Sequence, residues 1–362
     1  MIRKAAETMT SRERVLRTFD HAPVDRLAID YSANPIIHGK FAAALGCPSA
    51  DYGTVLDVLG VDFRGIGVRY CGPALFEPMP GRATDPVYGH RTRWVEHDSG
   101  GYHDFCDFPL LDAEPEEIAA FPVPDADDFD YELVKDLLKA YDQYALYVGS
   151  PGYADIINAT GRVMGMEQTL IHLITEEEAT LTYISRRCDM ELGILERILD
   201  RADGRIDFLF FGEDLGTQHT PLISPALYRR VLKPFHKRYA DLAEAYGIPV
   251  MVHSCGSSSW AFEDFIEIGV RAVDTLQPEA ANMSPAYLKE KFGGRLAFHG
   301  GISTAGTLVN GTPEQVRAMV LETAETFNRG GGYFLAPTHM IQDNTPVENM
   351  IAMYQAAHDF VI

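Results

Sequence analysis

From residue 144 onward, short apolar runs alternate with longer stretches whose apolar residues recur at helical spacing. The runs are Ala145–Val148, Phe208–Phe211, Pro249–Val252, Ala272–Leu276, Leu296–Phe298 and Tyr333–Leu335. Between them lie helical patterns such as Pro225–Ala245, Trp260–Ile268 and Pro313–Arg329. Runs of this kind fit strands buried on both faces, and crossovers this long exclude hairpins, so the sheet is parallel. Adding Leu27–Asp30 and Phe63–Arg69 brings the count to eight strands, as a (β/α)8 TIM barrel of class α/β requires. A doubly wound open sheet is the alternative, but no GxGxxG follows a strand to support it.

Thr10-Ser11-Arg12-Glu13 carries an N-cap signature, and Val15, Leu16 and Phe19 follow at helical spacing, which predicts an N-terminal helix ending near Pro23. The stretch around 75–130 breaks the rhythm and reads as an irregular insertion. Within it, Arg91–Glu96 alternates like an exposed hairpin strand and Pro122–Asp130 reads as an acidic linker. Residues 1–362 are therefore expected to form one barrel domain carrying this elaboration.

The residues that end the runs are the chemically informative ones. Phe208–Phe211 ends in Gly212-Glu213-Asp214, Pro249–Val252 in His253-Ser254-Cys255, and Ala272–Leu276 in Gln277-Pro278-Glu279. Leu296–Phe298 ends in His299-Gly300-Gly301, and Tyr333–Leu335 in Ala336-Pro337-Thr338-His339. In a barrel these ends share one rim, where such folds keep their chemistry. Residues i and i+2 of an extended segment point the same way, so His253 and Cys255 can converge on one ion. Sulfur and nitrogen ligation suits zinc, and His339 and Glu213, at strand ends that share this rim, are further candidates for ligand or base. Asp214 is a further catalytic candidate. His299 is an alternative ligand or a substrate contact, and Gln218 and Gln277 are candidate substrate contacts. The plain alternative is that βα loops are polar because they are exposed, and it accounts well for Gln277.

A net charge of −21 repels phosphate backbones and anionic membranes, so no nucleic-acid or membrane partner is expected. The five cysteines are scattered, without a CxxC pair, which fits a reducing compartment rather than a disulfide framework. The charged N-terminus lacks the apolar core of a secretory signal, so a cytoplasmic location is expected.

Several segments together resemble the uroporphyrinogen decarboxylase superfamily. They are Thr10–Val15, Leu222-Ile223-Ser224-Pro225 ahead of Tyr228 and Pro234-Phe235, and Val252–Gly256. Gly300-Gly301-Ile302 and the stretches Gly331–Tyr333 and Thr345–Asn349 complete the set. The resemblance is closest to the zinc-dependent, corrinoid-linked methyltransferases. It implies zinc on the HxC pair His253 and Cys255, with His339 where that branch has a second cysteine. It further implies a corrinoid (cobalamin), carried by a partner protein or free, a small methyl donor or acceptor, and a homodimer. One thiolate in place of two makes zinc a stronger Lewis acid, which favours demethylation of an O-, N- or S-methyl substrate. The arginine-rich segment that holds porphyrinogen carboxylates in true decarboxylases is replaced here by Ala28–Pro35, which has no arginine. A metal-free decarboxylase or lyase of a small carboxylate is the alternative, and it would need Arg64 or Arg69. A third reading is a barrel without chemistry that serves as a binding partner.

Overall fold

The computed structural model describes residues 2–47, 51–98 and 100–362. The barrel strands are β1 Ala28–Ile29, β2 Phe63–Ile66, β3 Ala145–Ala154 and β4 Phe208–Gly212, then β5 Val250–His253, β6 Val270–Thr275, β7 Ala297–Ile302 and β8 Tyr333–Pro337. They form one parallel eight-stranded sheet in the order β1-β8-β7-β6-β5-β4-β3-β2. The sheet closes where the Asp62 amide, just ahead of β2, donates to the Ile29 carbonyl of β1 at 3.0 Å. The fold is thus α/β and TIM-barrel-like. Strand interiors such as Leu146, Leu209, Val252 and Val273 are fully buried, which is why the runs read as continuously apolar.

The N-terminal helix is Ser11–Phe19, and Thr10 and Glu13 form a reciprocal capping box. Two of the expected strands differ from the runs in the sequence. The barrel part of Phe63–Arg69 ends at Ile66, and Arg69–Tyr70 leaves to pair antiparallel with Phe129–Asp130, so the stretch read as a linker ends in a strand. β3 runs past Val148 to Ala154, with its register against β4 broken between Gly149 and Ala154. Pattern reading stops at Gly149 because glycine and proline follow. The pattern Pro225–Ala245 is one helix interrupted by a π-helical turn at Tyr228–Leu232. Pro234 has no amide hydrogen to give and its ring crowds the preceding turn, which widens there.

The insertion contains an antiparallel sheet of Ala83–Thr84, Arg91–His97 and Gly100–Phe105. Its middle strand belongs to an exposed hairpin, with Trp94 55% exposed, although burial does not alternate along Arg91–His97. The helix Pro115–Ala120 packs the insertion against the long helix Glu178–Ala202. No helix among the described residues is long and apolar enough to cross a membrane.

Candidate metal centre

A cavity of about 660 Å³ opens at the carboxyl ends of the strands. Aromatic side chains, among them Phe63, Tyr147 and Phe210, form one part of its wall, and Asp214, His253 and Cys255 form another.

The strand register builds the polar row. His253 is the in-register partner of Asp274 on β6, and Asp274 is the partner of His299 on β7. Paired residues of neighbouring parallel strands project to the same side, so the three side chains lie abreast. One Asp274 oxygen meets His253 Nδ1 at 2.6 Å and the other meets His299 Nδ1 at 2.6 Å. His299 Nε2 continues the row to Asp30, which follows β1, at 3.2 Å.

His253 Nδ1 is thereby held, and Nε2 faces the other way, 3.3 Å from Cys255 Sγ and 3.7 Å from Asp214 Oδ1. Among the described residues, donor atoms of Asp214, His253 and Cys255 lie within 4.8 Å of one another. Two loops packed backbone against backbone set this spacing. A Cβ on Gly256, whose φ is +70°, would lie 2.3 Å from the Gly216 carbonyl oxygen, and one on Gly216 would lie 2.2 Å from the Ser257 nitrogen. Only glycines permit that approach, and across it the Cys255 amide donates to Asp214 Oδ1 at 2.8 Å. Asn158 Nδ2 holds the other Asp214 oxygen at 3.0 Å.

The charges of the row follow from burial and pairing. Burial works against charge on every member, yet Asp274 between two imidazoles is held well below the usual carboxylate range. Burial pushes His299 down, but Asp274 and Asp30 together raise it to about 9. His253 is likewise raised well above its ordinary value, since its bonds to Asp274 and Cys255 outweigh burial. Burial pushes the Cys255 thiol up, and Asp214 is held low by His253, the Cys255 amide and Asn158 despite its burial.

The expected site residues fall into two groups. His253, Cys255, Asp214 and His299 line the cavity, and the i, i+2 convergence of His253 and Cys255 is present. His339 also lines it but stands outside the three-donor cluster, with its Nδ1 on the Met340 carbonyl at 3.3 Å; the donor group that lies beside His253 and Cys255 is that of Asp214. Glu213 does not reach the cavity. It is fully buried, and its oxygens accept the Ile156 and Ile157 amides at 2.8 and 3.0 Å and face His236 Nε2 at 3.1 Å. Successive residues leaving a strand turn to opposite sides, so Glu213 faces the helix layer while Asp214 faces the rim. Gln218 and Gln277 bond to each other at 3.2 Å, and Gln218 also reaches the Glu279 carbonyl, away from the cavity lining. Sequence reasoning missed Asp274, although a carboxylate inside the apolar run Ala272–Leu276 was a usable signal.

With Glu213 anchoring two amides and facing an imidazole, Glu213→Gln is expected to cost about 1.5–3 kcal/mol of stability. Its amide nitrogen would face other donors. Any metal uptake by the Asp214–His253–Cys255 cluster should be unchanged; a variant that folds with wild-type stability but loses metal uptake would make Glu213 a ligand candidate again.

Residues 159–360, more than half of the chain, match the family model described as Uroporphyrinogen decarboxylase (URO-D). No curated protein matches the chain in sequence. Among solved structures, the chain is similar to a methyltransferase from Methanosarcina mazei, with 17% identity and a TM-score of 0.67 over 97% of this chain and 98% of that one. That likeness shows the fold. D-psicose 3-epimerase from Clostridium cellulolyticum H10 matches with 14% identity and a TM-score of 0.34, over 62% of this chain and 78% of that one. Tryptophan synthase from M. tuberculosis matches with 11% identity and a TM-score of 0.23, over 63% and 98%. By its match to the family model, and with the barrel and rim cavity described above, the chain belongs to the uroporphyrinogen decarboxylase family.

Proposed function

We propose that this chain is a zinc-dependent methyltransferase that moves a methyl group between a small O-, N- or S-methyl substrate and a corrinoid carried by a partner protein or free. The observation that carries the reading is the Asp214–His253–Cys255 cluster at the cavity wall, with Asp274 behind His253. The donors fit zinc by type and spacing. At zinc bond lengths of about 2.0–2.3 Å, tetrahedral N···S and N···O edges are about 3.5 Å. The corresponding distances here are 3.3 and 3.7 Å. A carboxylate behind the imidazole is the usual support of a metal-binding histidine, because it sets the tautomer that frees the other nitrogen.

Zinc bound there supplies Lewis acidity that stabilises charge developing on the substrate heteroatom. His253, Asp214 and Cys255 hold that position, and the aromatic wall of Phe63, Tyr147 and Phe210 takes the apolar part of a small substrate. With Asp214 rather than His339 as third donor, the set carries two negative charges, so the charge argument for a stronger Lewis acid weakens. The remaining argument is softness. A carboxylate is a harder donor than the thiolate it replaces, which suits taking methyl from oxygen or nitrogen more than giving it to sulfur.

The metal-free alternative finds little support. Arg64 lines the cavity, but its guanidinium is already engaged, with Nη1 on the Val61 and Phe63 carbonyls at 3.2 and 2.7 Å, Nη2 on Asp57 and the group 3.7 Å from the Tyr144 ring centre. Arg69 is paired with Asp130 and stands outside the cavity lining. A porphyrinogen bearing many carboxylates would also meet Asp30, Asp155, Asp214 and Asp274 on the walls.

The test is zinc content per chain after purification without chelator. About one zinc per chain is expected in the wild type and in His339→Ala, with Cys255→Ser and Asp214→Asn losing most of it. A wild type that takes up no zinc even after loading would sink the reading. Loss in His339→Ala as large as in Asp214→Asn would bring His339 back as a ligand.

A further inference from the structure

At the end of β3 the chain does something costly. Ala154 and Asp155 both adopt positive φ, +63° and +20°, a region that residues other than glycine rarely enter. A buried framework holds them there. Glu191 accepts the Ala154 amide at 2.9 Å, Arg187 donates to the Ala154 carbonyl and pairs with Glu191, and the Asp155 amide reaches the Gly212 carbonyl at 2.7 Å.

Asp155 stands at the N-cap of the helix Ile156–Met164, where aspartate ordinarily turns its side chain back onto the first amides. Here it makes no such bond; Glu213 takes the Ile156 and Ile157 amides instead. The Asp155 carboxyl, 3% exposed as a residue, is left lining the cavity, with Arg162 Nη2 at 3.2 Å. The cap is delegated to a second buried carboxylate, at a strained backbone, and Asp155 is left with Arg162 as its side-chain partner and the cavity before it.

We propose that Asp155 is a catalytic residue of this site, the acid that donates a proton to the substrate heteroatom as the methyl group leaves it. The inference rests on the methyltransferase reading above. The carbon–heteroatom bond breaks with its electron pair on the heteroatom, which takes the Asp155 proton. The pair for the new carbon–cobalt bond comes from a Co(I) corrinoid as co-reactant. In the reverse direction the Asp155 carboxylate accepts the proton of the alcohol, amine or thiol.

The groups facing Asp155 suit that role. Glu213 and Asp214 approach from the end of β4, Arg162 from its own helix, Arg187 and Glu191 from the long helix, and His236 sits behind Glu213. Burial and then Glu213 push the Asp155 carboxyl up from the usual carboxylate range, against the pull of Arg162 and Arg187.

The experiment gives the zinc-loaded full chain cob(I)alamin and three methyl donors: methanol, dimethyl sulfide and tetramethylammonium. Alkoxide and thiolate leaving groups need a proton, whereas trimethylamine leaves neutral. Asp155→Asn is expected to slow transfer from methanol and dimethyl sulfide by about 100-fold or more, and from tetramethylammonium by less than about threefold. Equal loss with all three donors, or no loss, overturns the role of Asp155 alone. A wild type that takes methyl from none of them overturns the methyltransferase reading, and this role falls with it.

A second readout needs no turnover. Zinc-loaded wild type should show a protonated-carboxyl C=O infrared band that persists above the usual carboxylate range and is missing in Asp155→Asn. Absence of that band in the wild type overturns the proposal. Asparagine tolerates left-handed backbone, so the variant should fold. If its melting shows otherwise, Arg162→Met serves instead: removing the facing cation should move the band's titration to higher pH, and an unmoved band counts against the proposal.

Discussion

Asp274→Ala, if His253 holds zinc as proposed, is expected to weaken zinc binding by about 10–100-fold, the usual cost of removing the carboxylate behind a metal-binding histidine. The loss arises one bond away from the donors. Without Asp274 nothing fixes the proton on His253 Nδ1, the ring is free to turn, and Nε2 no longer faces Cys255 Sγ. Competition against a zinc chelator at pH 8 measures it, and an affinity equal to that of the wild type would sink the argument.

The same substitution should leave a signature in the zinc-free protein. His299 titrates at about 9 in the fold, above its ordinary 6.5, so its pairing stabilises fully below about 6.5 and is lost as pH rises through about 9. Asp274 is depressed in the fold, so its contribution holds above the ordinary carboxylate value near 3.8 and fades as pH falls below it. The stability gap between wild type and Asp274→Ala should therefore be widest between about pH 4 and 6.5 and shrink as pH passes about 9. Urea unfolding of the zinc-free proteins across that range checks the sign. A gap that grows toward pH 9 would mean that Asp274 does not stabilise the charged imidazoles.

Asp62→Ala is expected to cost about 3–5 kcal/mol of stability, the range for leaving buried charges unpaired. Asp62 is fully buried and accepts from Arg14 at 2.6 Å, Arg26 at 2.7 and 3.0 Å, Ser11 at 2.7 Å and the Ile29 amide at 2.9 Å. Arg14 and Arg26 are themselves buried, at 0% and 2% exposure, so the substitution strands two cations at once. Arg14 keeps Asp25 and Arg26 keeps Glu7, which places the expectation toward the lower end. Because Asp62 also stands where β1 meets β2, its loss loosens the barrel at its closure. The denaturant midpoint should fall while the zinc stoichiometry of the folded protein stays near one. A loss below about 1 kcal/mol would show that the arginines find water or other partners.

The eight strands were legible because burial on both faces leaves a local mark, an apolar run between helical patterns. His253 and Cys255 were legible for a similar reason, since alternation along an extended segment is a property of adjacent residues. The same local rules failed at Glu213 and Asp214. Both follow the apolar run of β4, and nothing within that segment says which of them turns to the helices and which to the rim. Asp274 was hidden by being counted among its apolar neighbours, and Asp155 by the glycine and proline that made the end of β3 look like a loop.

By itself, then, the order of residues determined the class of fold, the rim as the place for chemistry, and the pair His253 and Cys255. Only the tertiary structure decided that Asp214 stands beside His253 and Cys255, that Asp274 joins His253 to His299, and that Glu213 caps a helix while Asp155 lines the cavity. Periodicity is set by neighbours along the chain. Which strand ends stand abreast is set by the register between segments tens of residues apart, through packing that no short stretch of sequence contains.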